Sequence, residues 1–238
     1  GMILGMDGEK MSKSRGNVIN PDEVVAQYGA DTMRLYEMFM GPLERSKPWN
    51  TSGIEGVYRF LSRLWRHFVD ENGNIVELSD VKPDKETLTL MHASIKKVGN
   101  DLEGLAFNTG ISQLMIFLNH LRSLELVPKQ ALEVFLTLLN PFSPHIAEEI
   151  WQLLGHENEL VYTKWPEYDE QLLVKDMVKL AVQVNGKVRA QIEVEVDADK
   201  DVILKLAHDQ NSVQQHTEGK TIIKEIVVPN RIVNIVAK

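Results

Sequence analysis

The 238-residue sequence contains no cysteine. That removes disulfides, thiolate metal ligands and thiol nucleophiles together, and it suits a reducing compartment, with a cytoplasmic location expected. No apolar run approaches 18 residues, so neither a membrane span nor a membrane partner is expected. The opening GMILGMDGEK has too short an apolar stretch and no basic lead, which argues against a signal peptide. His-Glu-x-x-His and the phosphate loop G-x-x-x-x-G-K are both missing, so no zincin-type metal site and no Walker-type ATPase are expected. Internal repeats and low-complexity tracts are lacking as well.

What is present is a globular composition, with 43% apolar and 25% charged residues. The length allows two ordinary domains. A net charge of −8 argues against a generally basic nucleic-acid binder. The charge is unevenly spread: residues 173–238 carry +1 and residues 1–172 carry −9. Any surface for a polyanion must therefore be local.

Apolar spacing divides the chain into three. Residues 1–50 read as a short β/α segment. Ile3 and Leu4 suit a buried strand, and Asp7-Gly8 a turn. Asn20, Pro21 and Glu23 form a helix start, Gly29 a stop, and Asp31 a cap for a second helix. Residues 51–172 carry four apolar runs at three- and four-residue steps. These are Ile54 to Phe68 (with Val57, Tyr58, Leu61, Leu64 and Trp65), Leu88 to Leu105, Ile111 to Leu121, and Leu132 to Leu139. Ser52-x-x-Glu55 reads as a capping box before the first, and Ser143-Pro144 restarts a further helix. The expectation is an antiparallel helix bundle. Residues 173–238 switch to period two. Leu180, Val182 and Val184 alternate up to Asn185-Gly186, a hairpin turn, after which Val188, Ala190, Ile192 and Val194 alternate again. A helical segment with Val202, Leu204 and Leu206, then two closing strands, completes a small α/β domain. The fold class is thus mainly α, with the bundle between a β/α segment and an α/β tail.

The most chemically informative stretch is EKMSKSRGN, residues 9–17. Lys10 and Lys13 stand three residues apart, with hydroxyls at Ser12 and Ser14 and a glycine at 16. Lysine ammonium groups are compact, movable point charges that suit phosphate oxygens. A solvated basic loop is the alternative for any isolated pair of this kind.

Here KMSKS followed by RGN is similar to one of two sequence hallmarks of the class I aminoacyl-tRNA synthetases. The context GMILGMDGEKMSKSRGNVINPDEVVAQYGADTMRLYEMF resembles the Leu/Ile/Val/Met subgroup, as do NPFSPHIAEEIW (140–151) and KWP (164–166). VQVNGKVRAQIEV (182–194) resembles the C-terminal domain of bacterial leucyl enzymes. Isoleucyl and valyl types remain the alternatives within the subgroup. The other hallmark, His-x-Gly-His, begins at none of the seven histidines. The resemblance therefore implies the C-terminal portion of a larger ATP-dependent ligase, inactive by itself. It also implies an anticodon-binding-like identity for the bundle, and ATP with Mg²⁺ as substrate, with no metal site in this chain. The partners implied are tRNA(Leu), and ATP and leucine through the missing N-terminal part. Lys10 and Lys13 take the catalytic role of stabilising departing pyrophosphate, and Lys10, Met11, Ser12, Lys13 and Ser14 bind ATP. A stand-alone tRNA-binding module without catalysis is the competing reading.

Candidates for contact with RNA are Arg59, Arg63 and Arg66, at i, i+4 and i+7 opposite the apolar stripe of their helix, and Lys187 and Arg189, two residues apart after the Asn185-Gly186 turn and so on one face of the second hairpin strand. Solvated surfaces are the plain alternative for both. Lys96 and Lys97 are weaker candidates. His145 is expected to be satisfied by packing, and Trp65, Trp151, Met33, Met38 and Met40 to be core.

Overall fold

In the computed structural model, which describes residues 1–173, 177–196 and 198–238, the chain divides into two units, 1–173 and 174–238. In the first, β1 (Ile3–Leu4) pairs in parallel with β2 (Lys47–Pro48). Asn20 accepts the Asp22 N–H at 3.1 Å, and Pro21, which needs no N–H partner, opens α1 (Pro21–Tyr28). Gly29, at φ +87°, separates it from α2 (Ala30–Phe39). The long helices follow: α3 (Thr51–Phe68), α4 (Lys85–Glu103), α5 (Phe107–Leu121), α6 (Lys129–Leu139) and α7 (Pro144–Leu153).

Their packing follows from the apolar spacing. Ile54, Val57, Leu64 and Phe68 of α3, Ile111, Leu114 and Leu118 of α5, and Leu132, Phe135, Leu136 and Leu139 of α6 are all buried in one core. Each such side chain contributes roughly 1.5–3 kcal/mol through burial. Phe117 and Phe135 meet edge to face, with ring centroids 5.7 Å apart. The segment before α3 has no separate core. Ile3, Met11, Ile19, Met33, Met38 and Met40 pack against the helical one.

Polar contacts tie α2 to its neighbours. Tyr36 donates to the Asn50 carbonyl at 2.7 Å and accepts the Asn50 N–H at 3.0 Å. The ring lies so close to α3 that a Cβ on Gly53 would sit 2.8 Å from it, so glycine is required there. Arg34 donates to the Pro141 carbonyl at 3.2 Å. Asp31 departs from the sequence reading. It does not cap α2; its carboxylate accepts the N–H of Ile146 at 2.7 Å and of His145 at 3.3 Å, capping α7 more than a hundred residues away. His145, expected to be packed, is exposed, and its Nδ1 lies 2.8 Å from the same carboxylate.

Other differences are local. Asn50 rather than Ser52 caps α3, accepting the Ser52 N–H at 3.0 Å. Leu105 lies beyond the end of α4, at φ +54° and exposed, because the chain turns there into α5. Tyr58, at the edge of the α3 stripe, is 44% exposed.

In the second unit the strand order is β4-β3-β6-β5, from β3 (Met177–Val184), β4 (Lys187–Glu195), β5 (Ile222–Val228) and β6 (Ile232–Ala237). Asn185 and Gly186, both at positive φ, form the two-residue turn of the β3–β4 hairpin. Helices α8 (Lys200–His208) and α9 (Asn211–Thr217) bury Ile203, Ala207 and Val213 with Leu180, Val182, Ile192, Val194, Val233 and Ile235. The helical segment expected around Val202, Leu204 and Leu206 is α8, in which Val202 and Leu206 are exposed. No helix among the described residues is long and apolar enough to cross a membrane.

If the Asp31 carboxylate joins α2 to α7, Asp31→Ala lowers stability by roughly 1–3 kcal/mol, through two orphaned N–H groups. Urea unfolding should register this, with a smaller loss for His145→Ala.

Candidate functional site

The loop of residues 6–17 is held at its base by a side-chain clasp. Asn17 donates through Nδ2 to both oxygens of Asp7, at 3.1 and 3.0 Å, and its Oδ1 accepts the Ser12 N–H at 2.9 Å. Glu9 donates its backbone N–H to Asp7 at 3.1 Å, and the Gly5 N–H reaches the Glu9 carbonyl at 2.8 Å. A Cβ on Gly5 would stand 2.7 Å from the Asp7 carboxylate, so the clasp closes over a glycine. Sequence reasoning missed Asp7 and Asn17 as supporting residues. Their visible signal was a turn-forming Asp-Gly and a Gly-Asn flanking the lysines.

Between the two ends, residues Lys13–Arg15 form a single 3₁₀ turn, closed by Gly16 at φ +67°. Lys10, Lys13 and Ser14 are exposed, and the Ser12 and Ser14 hydroxyls lie 3.3 Å apart. Met11 is half-buried against the helical core, so its side chain anchors the loop. Arg15 is paired with Glu9 at 3.2 Å. Neither Lys10 nor Lys13 has a carboxylate partner among the described residues. Two uncompensated ammonium groups and two hydroxyls on an exposed turn can receive a polyphosphate without first breaking an ion pair.

The three α3 arginines are exposed. Arg59 lies 3.8 Å from Glu55, a weak i,i+4 contact, while Arg63 and Arg66 have no ion-pair partner among the described residues. The weaker candidates are occupied: Lys96 bonds Glu170 at 2.8 Å, and Lys97 bonds Asp101 at 2.5 Å. In the second unit, a bulge breaks the alternation of β4. Val182 pairs with Ala190 but Gln183 with Val188, so Arg189 is the extra residue. Lys187 and Arg189 therefore do not share a face by strand periodicity. Lys187 is exposed, whereas Arg189 is half-buried, its Nε buried without a partner and its carbonyl accepting from Ser212 at 2.7 Å. No cluster of three metal-ligating side chains exists among the described residues.

The Glu9 N–H, then the Asn17 amide, hold the Asp7 carboxyl below its usual 3.8. A lowered folded-state pKa contributes stability above the unfolded value and loses it as pH falls through the folded one, so the clasp is closed at neutral pH. Asn17→Ala should move the Asp7 titration upward toward 3.8 in carboxyl-carbon NMR and speed hydrogen exchange at the Ser12 amide. An unmoved titration would mean that the amide does not hold the carboxylate.

Residues 84–204 match the family model of the anticodon-binding domain of tRNA ligase, and residues 1–48 match that of tRNA synthetases class I (I, L, M and V). The chain is 51% identical, along its whole length, to a leucine–tRNA ligase of Chloroherpeton thalassium (strain ATCC 35110 / GB-78). It spans about 30% of the length of that relative, matching its C-terminal part. A solved structure, the ternary complex of Agrobacterium radiobacter K84 agnB2 LeuRS with tRNA and LeuAMS, superimposes with a TM-score of 0.74 at 30% identity, covering all of this chain and 32% of that one. On the match over residues 84–204, together with the whole-length identity to a leucine–tRNA ligase, the chain belongs to the tRNA ligases that carry an anticodon-binding domain.

Proposed function

We propose that this chain is the part of a leucine–tRNA ligase that carries the pyrophosphate-stabilising loop and the surfaces on which tRNA(Leu) docks. The observation that carries the reading is the loop itself. An intact EKMSKSRGN, with Lys10 and Lys13 exposed and unpaired among the described residues, sits in a chain half-identical to such a ligase. A purely RNA-binding module has no use for that pair of cations.

In the reaction, the leucine carboxylate attacks the α-phosphate of ATP, the α–β bond breaks, and pyrophosphate leaves. The acyl group then passes to the terminal ribose of tRNA. Charge accumulates on the β- and γ-phosphates as the bond breaks. Lys13, assisted by Lys10, meets that charge, and a cation stronger for the transition state than for bound ATP raises rate rather than affinity. Ser12 and Ser14 orient phosphate oxygens through their hydroxyls. Mg²⁺ would accompany ATP as part of the substrate. Residues 1–50 supply the loop segment, residues 51–172 the docking helices with Arg59, Arg63 and Arg66, and residues 173–238 a tail domain with Lys187 and Arg189. Since Nε of Arg189 is buried, its contact with RNA runs through the terminal Nη groups. The missing cysteines suit a cytoplasmic enzyme.

In the full-length enzyme, Lys13→Ala is expected to lower leucine-dependent ATP–pyrophosphate exchange by about 10²–10³ while leaving tRNA(Leu) affinity nearly unchanged. Equal loss of both would contradict a transition-state role. The 238-residue chain alone, without a His-x-Gly-His run, should show no leucine-dependent exchange.

A further inference from the structure

A cleft of about 650 Å³ opens in the first unit among the α1–α2 junction, the middle of α3 and the start of α7. Its volume is that of a site for a small organic group (roughly 300–1,000 Å³). Three aromatic side chains line it, Tyr28, Tyr58 and Trp65, and the two tyrosine rings meet edge to face at 5.8 Å. Tyr58 is 44% exposed, so one ring has a free surface. Asp31 and Glu149 contribute carboxylates to the wall. Arg66 and His145 line the same wall, and the Asp31 carboxylate is taken up by the start of α7, so the lining carries both signs and suits a neutral flat ring with polar edges.

Arg66 is part of the cleft wall, and the other two α3 arginines stand outside it. On α3, Tyr58, Leu61, Ser62 and Trp65 recur at i, i+3, i+4 and i+7 and face the cleft. Arg59, Arg63 and Arg66 form the neighbouring stripe of the same helix, and Arg66 belongs to both. An aromatic slot beside a row of exposed guanidinium groups, two of them without an ion-pair partner among the described residues, has the charge pattern of a base pocket next to a phosphate track.

We propose that this cleft takes one unpaired base of the docked RNA, stacked on Tyr58 and Trp65, while the arginine row holds the adjoining phosphates. This inference rests on the RNA-docking reading above. Neutral stacking and charged contact respond differently to salt, and that separates the two parts.

The test uses the full-length protein and a tRNA(Leu) transcript, with affinity measured across a salt series. Tyr58→Leu should weaken binding about tenfold, the size of one lost stack, with the salt slope unchanged. Tyr58→Phe should bind like the parent, and Arg63→Gln should reduce the slope by roughly 0.7–0.9. If Tyr58→Leu does not fold, Ser62→Gln narrows the same cleft and is expected to give the same loss. Parental affinity in Tyr58→Leu, or a loss seen only as a lower slope, overturns the base pocket and leaves the docking reading standing. Lower stability with unchanged RNA affinity also overturns it, since the cleft is then filled by protein. Failure of the parent to bind the transcript even at low salt brings down the docking reading and, with it, this one.

Discussion

The oxygens of Asp31 accept the first free N–H groups of α7, and this long-range cap fixes how the segment before α3 sits on the helices. A helix start has backbone donors with no partner of their own. Supplying the acceptor from α2 satisfies them and joins two stretches that are far apart in sequence. Arg34 to Pro141, and Tyr36 to both polar groups of Asn50, add to the same seam. Between these polar ties, Ile19, Met33 and Met38 pack into the core of the long helices rather than forming one of their own. The lysine-bearing loop is thus rooted in the unit that presents the arginine row of α3.

That rooting reconciles two demands on the loop. In the proposed reaction positive charge must be available, and the ammonium groups of Lys10 and Lys13 have no ion-pair partner among the described residues. The charge must also be aimed, which an unconstrained loop cannot do. The Asp7–Asn17 clasp, the half-buried Met11 and the 3₁₀ turn at Lys13–Arg15 limit the backbone without touching either ammonium group. Gly8 and Gly16, both at positive φ, flank the two lysines.

What was legible in the sequence was local or periodic. The apolar runs from Ile54, Leu88, Ile111 and Leu132 coincide with α3 to α6, because a buried helix face must repeat every three to four residues. Asn20-Pro21 and Asn185-Gly186 were readable because their conformations are nearly dictated by residue type. The cap from Asp31 to Ile146 was not, since no local pattern marks an acceptor 115 residues from its donor. In α8, Val202, Leu204 and Leu206 repeat at strand spacing, whereas the helix buries the less conspicuous pair Ile203 and Ala207 four residues apart. The bulge at Arg189 carries no glycine to announce it, so the shared face of Lys187 and Arg189 was an inference from unbroken alternation. At the candidate site, the lysines and serines were visible as a motif, while the clasp that positions them, and the cleft beside α3, exist only once distant segments meet.

The central claim is that the loop-bearing segment and the long helices fold and open as one body. Native-state hydrogen exchange in low urea measures this directly. The account predicts that amides in the middle of α2 exchange through the same global opening as those of α5 and α6, and that Asp31→Ala lowers protection in all three together. Exchange of α2 through a separate, lower-energy opening, with α5 and α6 unaffected by the substitution, would contradict it.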